Sequence, residues 1–107
     1  MISFQDWQKA ELKAAKITKA EDIAGKDNLY KIEIDLGGEK RQIVAGIKQY
    51  YGKEELQGKN IVVVSNLEPA RIAGIESQAM LLAARNSEGK YKLVEIDESV
   101  EAGAAVE

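Results

Sequence analysis

Histidine and cysteine are both missing from this chain. Without cysteine there are no disulfides and no thiolate metal sites. Without histidine the usual general base at neutral pH is gone, and so is the commonest metal ligand. Any catalysis would fall to Asp, Glu, Lys, Tyr or Ser alone, which weighs against an enzyme. Neither a GxxxxGK[ST] nor a GxGxxG loop occurs. Gly37-Gly38 is followed by Glu39, which would repel a phosphate, so it reads as a hairpin turn. Carboxylate pairs such as Glu54-Glu55 suit a solvated first helical turn, and nothing resembles a metal site or asks for a cofactor. The longest apolar runs, "IVVV" and "AMLLAA", are too short to span a bilayer. The opening MISFQDWQK has no basic stretch leading into an apolar one, so no secretory signal is expected and the plain expectation is a cytoplasmic protein.

What remains is ordinary for a folded domain. The 107 residues are 45% hydrophobic and 31% charged, which predicts one domain over 1–107 with one modest core. The net charge of −3 argues at first against a nucleic-acid partner. Its distribution softens that. Residues 86–107 hold six acids against two bases, so the first 85 residues carry 13 bases and 12 acids. The acidity belongs to the tail, and the body is free to present a basic face.

Ser3 with Asp6 three places on is a capping-box spacing, and Phe4 and Trp7 share one face. This predicts a helix of about two turns whose aromatics pack on the body. From Leu12 to Ile23 the chain reads as a long strand that changes phase, with Leu12 and Ala14 on one face and Ile17 and Ile23 on the other; that requires a bulge. "GKDN" is turn material. "LYKIEIDL" alternates cleanly, Gly37-Gly38 closes a hairpin, and "EKRQIVAG" returns. Lys53 to Leu56 suit one helical turn between Gly52 and Gly58. "NIVVVSNL" is a buried fourth strand, "EPARIAGIE" a loop holding the only proline, "SQAMLLAAR" a fifth strand, and "YKLVEI" a short sixth. Five antiparallel strands in so small a domain must close to protect their edges. The expected fold is all-β: a five-stranded OB-fold barrel with a short N-terminal helix and a C-terminal appendage. A small open α+β sheet is the competing architecture.

Barrels of this kind bind nucleic acid on the face of strands two and three and in the flanking loops. The candidates there are Asn28 and Lys31, then Lys40 and Arg41, then Asn66, Arg71 and Ser77-Gln78, with Lys13 and Lys16 on the first strand. Short donors beside flexible cations suit phosphate and 2′-hydroxyl contacts. The plainer reading makes Lys31 and Lys40 ordinary exposed strand residues and has Asn66 capping a loop. Ser77 and Gln78 then merely end the loop before the fifth strand.

The stretch "IVAGIKQYYGKEELQGKNIVVVSNLEPARIAGIESQAMLLAA" resembles the signature region of the tRNA-binding domain family. That family includes the C-terminal domain and stand-alone beta subunit of methionyl-tRNA synthetase, the structure-specific tRNA-binding proteins and the export chaperone CsaA. "FQDWQKAELKAAKI", "DNLYKIEIDLG" and "YKLVEIDESVEAGAAV" extend the resemblance over nearly the whole chain, and the synthetase-type members fit better than the chaperone. The resemblance implies an OB-fold, a homodimer built partly by the C-terminal appendage, no reaction catalysed by the module, and tRNA recognised by shape. It also implies an aminoacyl-tRNA synthetase as a partner. The alternative within the family is a chaperone for unfolded polypeptides. Ser77 and Met80 match the Ser and Met of the family's Ser-Gln-Gly-Met motif, which are implicated in tRNA contact. Asn66 matches its Asn before Leu, and Leu29-Tyr30 its Leu-Tyr pair. The departures are Asn28 where the family often has Lys, no glycine in Glu11-Leu12-Lys13-Ala14-Ala15, and Ala79 for the motif's glycine. Around the proline, Glu68, Ala70 and Ala73 leave Arg71 as the single cation.

Overall fold

The computed structural model describes all 107 residues. Strand β1 (Leu12–Ile23) runs the length of the molecule and pairs with three others. Its first half lies antiparallel to β4 (Asn60–Val64), its second half to β2 (Lys26–Asp35). The phase change was expected between Ala14 and Ile17; instead the register slips between Ile17 and Lys19, a bulge at Thr18, and again between Asp22 and Ile23. Ala15 and Ile17 face the core before the first slip and Ala20 faces it after. Strand β3 (Lys40–Ala45) returns along β2, after a turn in which both amides of Gly37 and Gly38 donate to Asp35 Oδ1.

The alternation of β2 is fully expressed: Tyr30, Ile32, Ile34 and Leu36 are buried. They meet Ile43 and Ala45 of β3, Ile61 and Val63 of β4, and Leu56 of the single-turn helix α2 (Lys53–Leu56) in one core. Strand β7 (Met80–Leu81) pairs with β4 and gives the sheet order β3-β2-β1-β4-β7. This is the five-stranded OB-fold barrel that the strand pattern predicts.

Four parts differ from the sequence reading. "EPARIAGIE" is no plain loop but a hairpin of β5 (Ala70–Ile72) and β6 (Ile75–Ser77). Its two-residue turn puts Ala73 at φ 53° and Gly74 at φ 78°, the left-handed pair that a tight hairpin needs. The fifth strand is broken, because β7 pairs with β4 while β8 (Ala83–Arg85) pairs with β9 (Tyr91–Leu93). The appendage ends in a strand, β10 (Ala105–Val106), on the first residues of β1. The helix α1 (Phe4–Trp7) is one turn, capped by Ser3 Oγ accepting from the Asp6 amide. Its aromatics do not pack into the body: Phe4 is 70% exposed and Trp7 39%.

Candidate nucleic-acid interface

Strands β3 and β7 are the two ends of the sheet order, so a barrel must be closed between them without a backbone ladder. Side chains close it. Ser77 Oγ accepts from the Val44 amide at 3.0 Å and donates to the Ala79 carbonyl at 3.0 Å. Gln78 Oε1 accepts from the Gln42 amide at 3.0 Å, while the Gln78 amide donates to the Gln42 carbonyl at 2.9 Å. Gln42 Nε2 completes the seam on the Glu76 carbonyl. The polar couplet therefore sits at the mouth of an apolar strand because it replaces a missing rung of sheet, pairing backbone groups that would otherwise be buried alone.

This corrects several of the expected contacts. Ser77 is 3% exposed and both of its hydrogen-bonding capacities are used within the barrel, so its hydroxyl does not face solvent at the rim. Arg41 is not an outward cation. It stands opposite Ile34, in the inward phase of β3. Its guanidinium plugs the end of the barrel, donating to the Ser65 and Gln78 carbonyls and pairing with Glu39 at 2.9 Å. Asn66 is at the surface, but its amide accepts from the Glu11 N–H at 2.8 Å and donates to the Lys9 carbonyl at 2.6 Å. It clips the chain between α1 and β1 to the end of β4. Lys13 lies in register with Ala105 and Val63, beside α1 and β10, and outside the polar groove described next, although its charge reaches Glu39, the partner of Arg41. Arg71 is exposed on the β5–β6 hairpin, its guanidinium folded back on the Gly74 carbonyl at 2.8 Å.

The remaining polar candidates gather on the outer face of β1, β2 and β3. There a groove of about 340 Å³ is lined by Lys19, Glu21, Lys31, Glu33, Lys40, Arg41, Gln42 and Gln78, with no apolar side chain among them. Lys19 pairs with Glu21 at 2.8 Å and Lys40 with Glu33 at 3.3 Å. Lys31, in register with Glu21 on β1 and Val44 on β3, forms no ion pair. The Glu33 carboxyl is held below the usual range by the Thr18 hydroxyl and then by Lys40; Glu21 is lowered by Lys19. Both stay ionised at neutral pH, so three outward lysines stand against two carboxylates; Arg41, turned into the barrel end, borders the groove already paired with Glu39. Sequence reading named Lys31, Lys40 and Arg41 here. It missed Lys19, which the bulge at Thr18 brings round to this face.

A second depression is apolar. Beyond the seam β3 and β7 part, leaving a cup of about 280 Å³ lined by Leu29, Val44 to Ile47, Ile72, Met80, Leu81, Ala83 and Tyr91. Met80 is half-buried in it; of Asn28 only the backbone carbonyl comes near, since its exposed side chain is opposite in phase to Leu29 on β2. A third groove, lined by Phe4, Trp7, Leu12, Lys13 and Val106 among others, runs between α1 and β10. No group of three or more Asp or Glu side chains is placed to hold a metal ion, and no helix is long and apolar enough to cross a membrane.

Comparison with known proteins agrees with this geometry. Residues 12–105 match the model of the putative tRNA-binding domain family. The chain is 49% identical over 105 residues to the methionine–tRNA ligase of Thermotoga maritima, covering 98% of this chain and 16% of that protein. It is 46% identical over 105 residues to that of Pyrococcus furiosus, covering 98% of this chain and 14% of that protein. It thus spans about one-seventh of the length of these relatives. Among solved structures, a MetRS related protein from Pyrococcus horikoshii superposes with a TM-score of 0.94 at 38% identity, covering 99% of this chain and 97% of the other. The chaperone CsaA of Bacillus anthracis gives 0.90 at 29% identity, covering 100% and 99%. With the strand order, the closing seam and the match over 12–105 all in agreement, this chain belongs to the putative tRNA-binding domain family.

Proposed function

We propose that this domain is a non-catalytic module that holds tRNA by its sugar-phosphate outline and raises its concentration near an aminoacyl-tRNA synthetase. The observation that carries the reading is the groove on β1–β3: entirely polar, with three outward lysines against two carboxylates, on a molecule of net charge −3. An acidic protein that concentrates positive charge in one concave strip focuses an attractive field there. Lysines and amides without an apolar floor suit phosphate and ribose better than stacked bases. The methionine–tRNA ligase relatives, in which the match covers only 14–16% of the chain, support a role as an attached or associated module.

The module works as a homodimer in this reading. The groove between α1 and β10 exposes Phe4, Trp7 and their neighbours, an apolar strip that a second copy would cover.

Titration of bulk tRNA against the domain at several salt concentrations tests the electrostatic core of the proposal. With about four phosphate contacts, affinity falls roughly a hundredfold between 50 and 200 mM salt, and Lys31→Ala reduces the slope by about one. A flat salt response overturns the reading. The competing reading is a chaperone for unfolded polypeptides, favoured by the apolar cup and by the likeness to CsaA. It predicts capture of an unfolded chain with little salt dependence and no tRNA binding.

A further inference from the structure

We infer that the apolar cup between β3 and β7 is a pocket for one unstacked nucleobase of the RNA whose backbone lies in the polar groove. The inference rests on the tRNA-binding reading and adds a ligand to it. Two observations carry it.

The first is continuity. Lys31 and Val44 are directly opposite each other on β2 and β3, so their side chains leave the same face of the sheet. Lys31 lines the polar groove and Val44 lines the cup. Val44 is 1% exposed yet stands outside the barrel core. It is covered from outside by the β5–β6 hairpin, whose Ile72 forms another wall of the cup. A strand of RNA with a phosphate at Lys31 therefore has its next base beside the cup.

The second is the character of the walls. No carboxylate, lysine or arginine lines the cup. One wall is Tyr91, 39% exposed and braced edge-on by Tyr50 with ring centroids 5.8 Å apart. A fixed aromatic ring facing a flexible thioether, Met80, grips a flat heterocycle whatever its identity.

Gly46 supplies the test. It lies at the cup, its backbone does not need a positive φ, and a Cβ built there meets nothing nearer than 3.8 Å. Gly46→Leu therefore fills the cup without touching a charge. Bulk tRNA is titrated against the parent, Gly46→Leu, Tyr91→Ala and Lys31→Ala at several salt concentrations, with thermal melting of each variant. The expected result is a loss of about tenfold or more in tRNA affinity for Gly46→Leu and for Tyr91→Ala, with the salt slope of the parent retained. Lys31→Ala lowers the slope instead. Should Gly46→Leu fail to fold, Tyr91→Ala and Met80→Ala, at exposed and half-buried wall positions, carry the test. If the parent binds tRNA and the folded cup variants bind it equally well, the base pocket is refuted while the groove stands. If the parent does not bind tRNA, the functional reading fails and the pocket with it. If the cup variants lose capture of an unfolded polypeptide but keep tRNA, the cup is a peptide site and the inference is wrong.

Discussion

Ser77 and Gln78 illustrate how one residue type can be asked to do two incompatible things. A hydroxyl that contacts RNA must be free to rotate toward it; the Ser77 hydroxyl accepts from Val44 and donates to Ala79. Ser77→Ala leaves the buried Val44 amide without a partner, which costs about 1–3 kcal/mol. For a domain of this size that corresponds to a melting temperature lower by roughly 5–15 °C. Because no phosphate contact is lost, the salt slope of tRNA binding by the folded variant stays that of the parent. A stable Ser77→Ala protein with a shallower slope would show that the hydroxyl touches RNA after all. Arg41 carries the same lesson with a charge. Its inward phase opposite Ile34 was available from the alternation of "RQIVA" once the hairpin register was fixed. Its partners, the Ser65 and Gln78 carbonyls, come from 24 and 37 residues away and leave no local trace.

At the scale of elements, legibility follows the range of the forces that fix each one. The β2–β3 hairpin and the turn of α2 were readable because alternation and glycine pairs are local signals; that β1 is bulged was readable too, but the bulge falls at Thr18 and not between Ala14 and Ile17. The β5–β6 hairpin was read as a loop because its turn uses Ala73, a residue that seldom adopts φ 53°. The pairing of β10 with β1 was invisible, since Ala105 and Val106 carry no pattern of their own. What fixes that tail is a close approach of two backbones. Gly103 has φ 92°, and a Cβ there would lie 2.5 Å from the Leu36 carbonyl oxygen; a Cβ on Gly37 would likewise strike the Ala102 carbonyl. The Gly103 amide meanwhile donates to Ala14 and the Ala14 amide to Ala104. Gly103→Ala combines strain in the left-handed region with a backbone clash, at a cost of about 1–3 kcal/mol. The expected outcome is local release of the tail, not global unfolding. Trp7, the single tryptophan, lies in the groove that Val106 helps to line, so its emission shifts to longer wavelength while the barrel's far-ultraviolet circular dichroism is kept. Unchanged Trp7 emission would mean that the glycine contact does not hold the tail.

The whole molecule raises the question of how so few cations retain RNA. Of the four that line or border the groove, Lys19, Lys40 and Arg41 already have carboxylate partners, and Lys31 is the one without. Each groove is therefore a weak site. In the proposed homodimer, doubling would repair the weakness, because the second contact is intramolecular and is governed by effective concentration rather than by free ligand. The surface able to bring two copies together lies between α1 and β10, away from the groove on β1–β3, so dimerisation leaves both grooves open. The proposed dimer contact would also account for a Phe4 that is 70% exposed on a one-turn helix. Phe4→Glu places a charge at that strip without touching the groove. In sedimentation experiments it converts a dimer to a monomer, and tRNA affinity falls about a hundredfold as avidity is lost. The affinity of each single site is unaltered, so a short RNA fragment that fills only one groove binds parent and variant alike. Weaker binding of that fragment to the variant would place Phe4 in the RNA contact itself, and a monomeric parent would remove the need for a second copy.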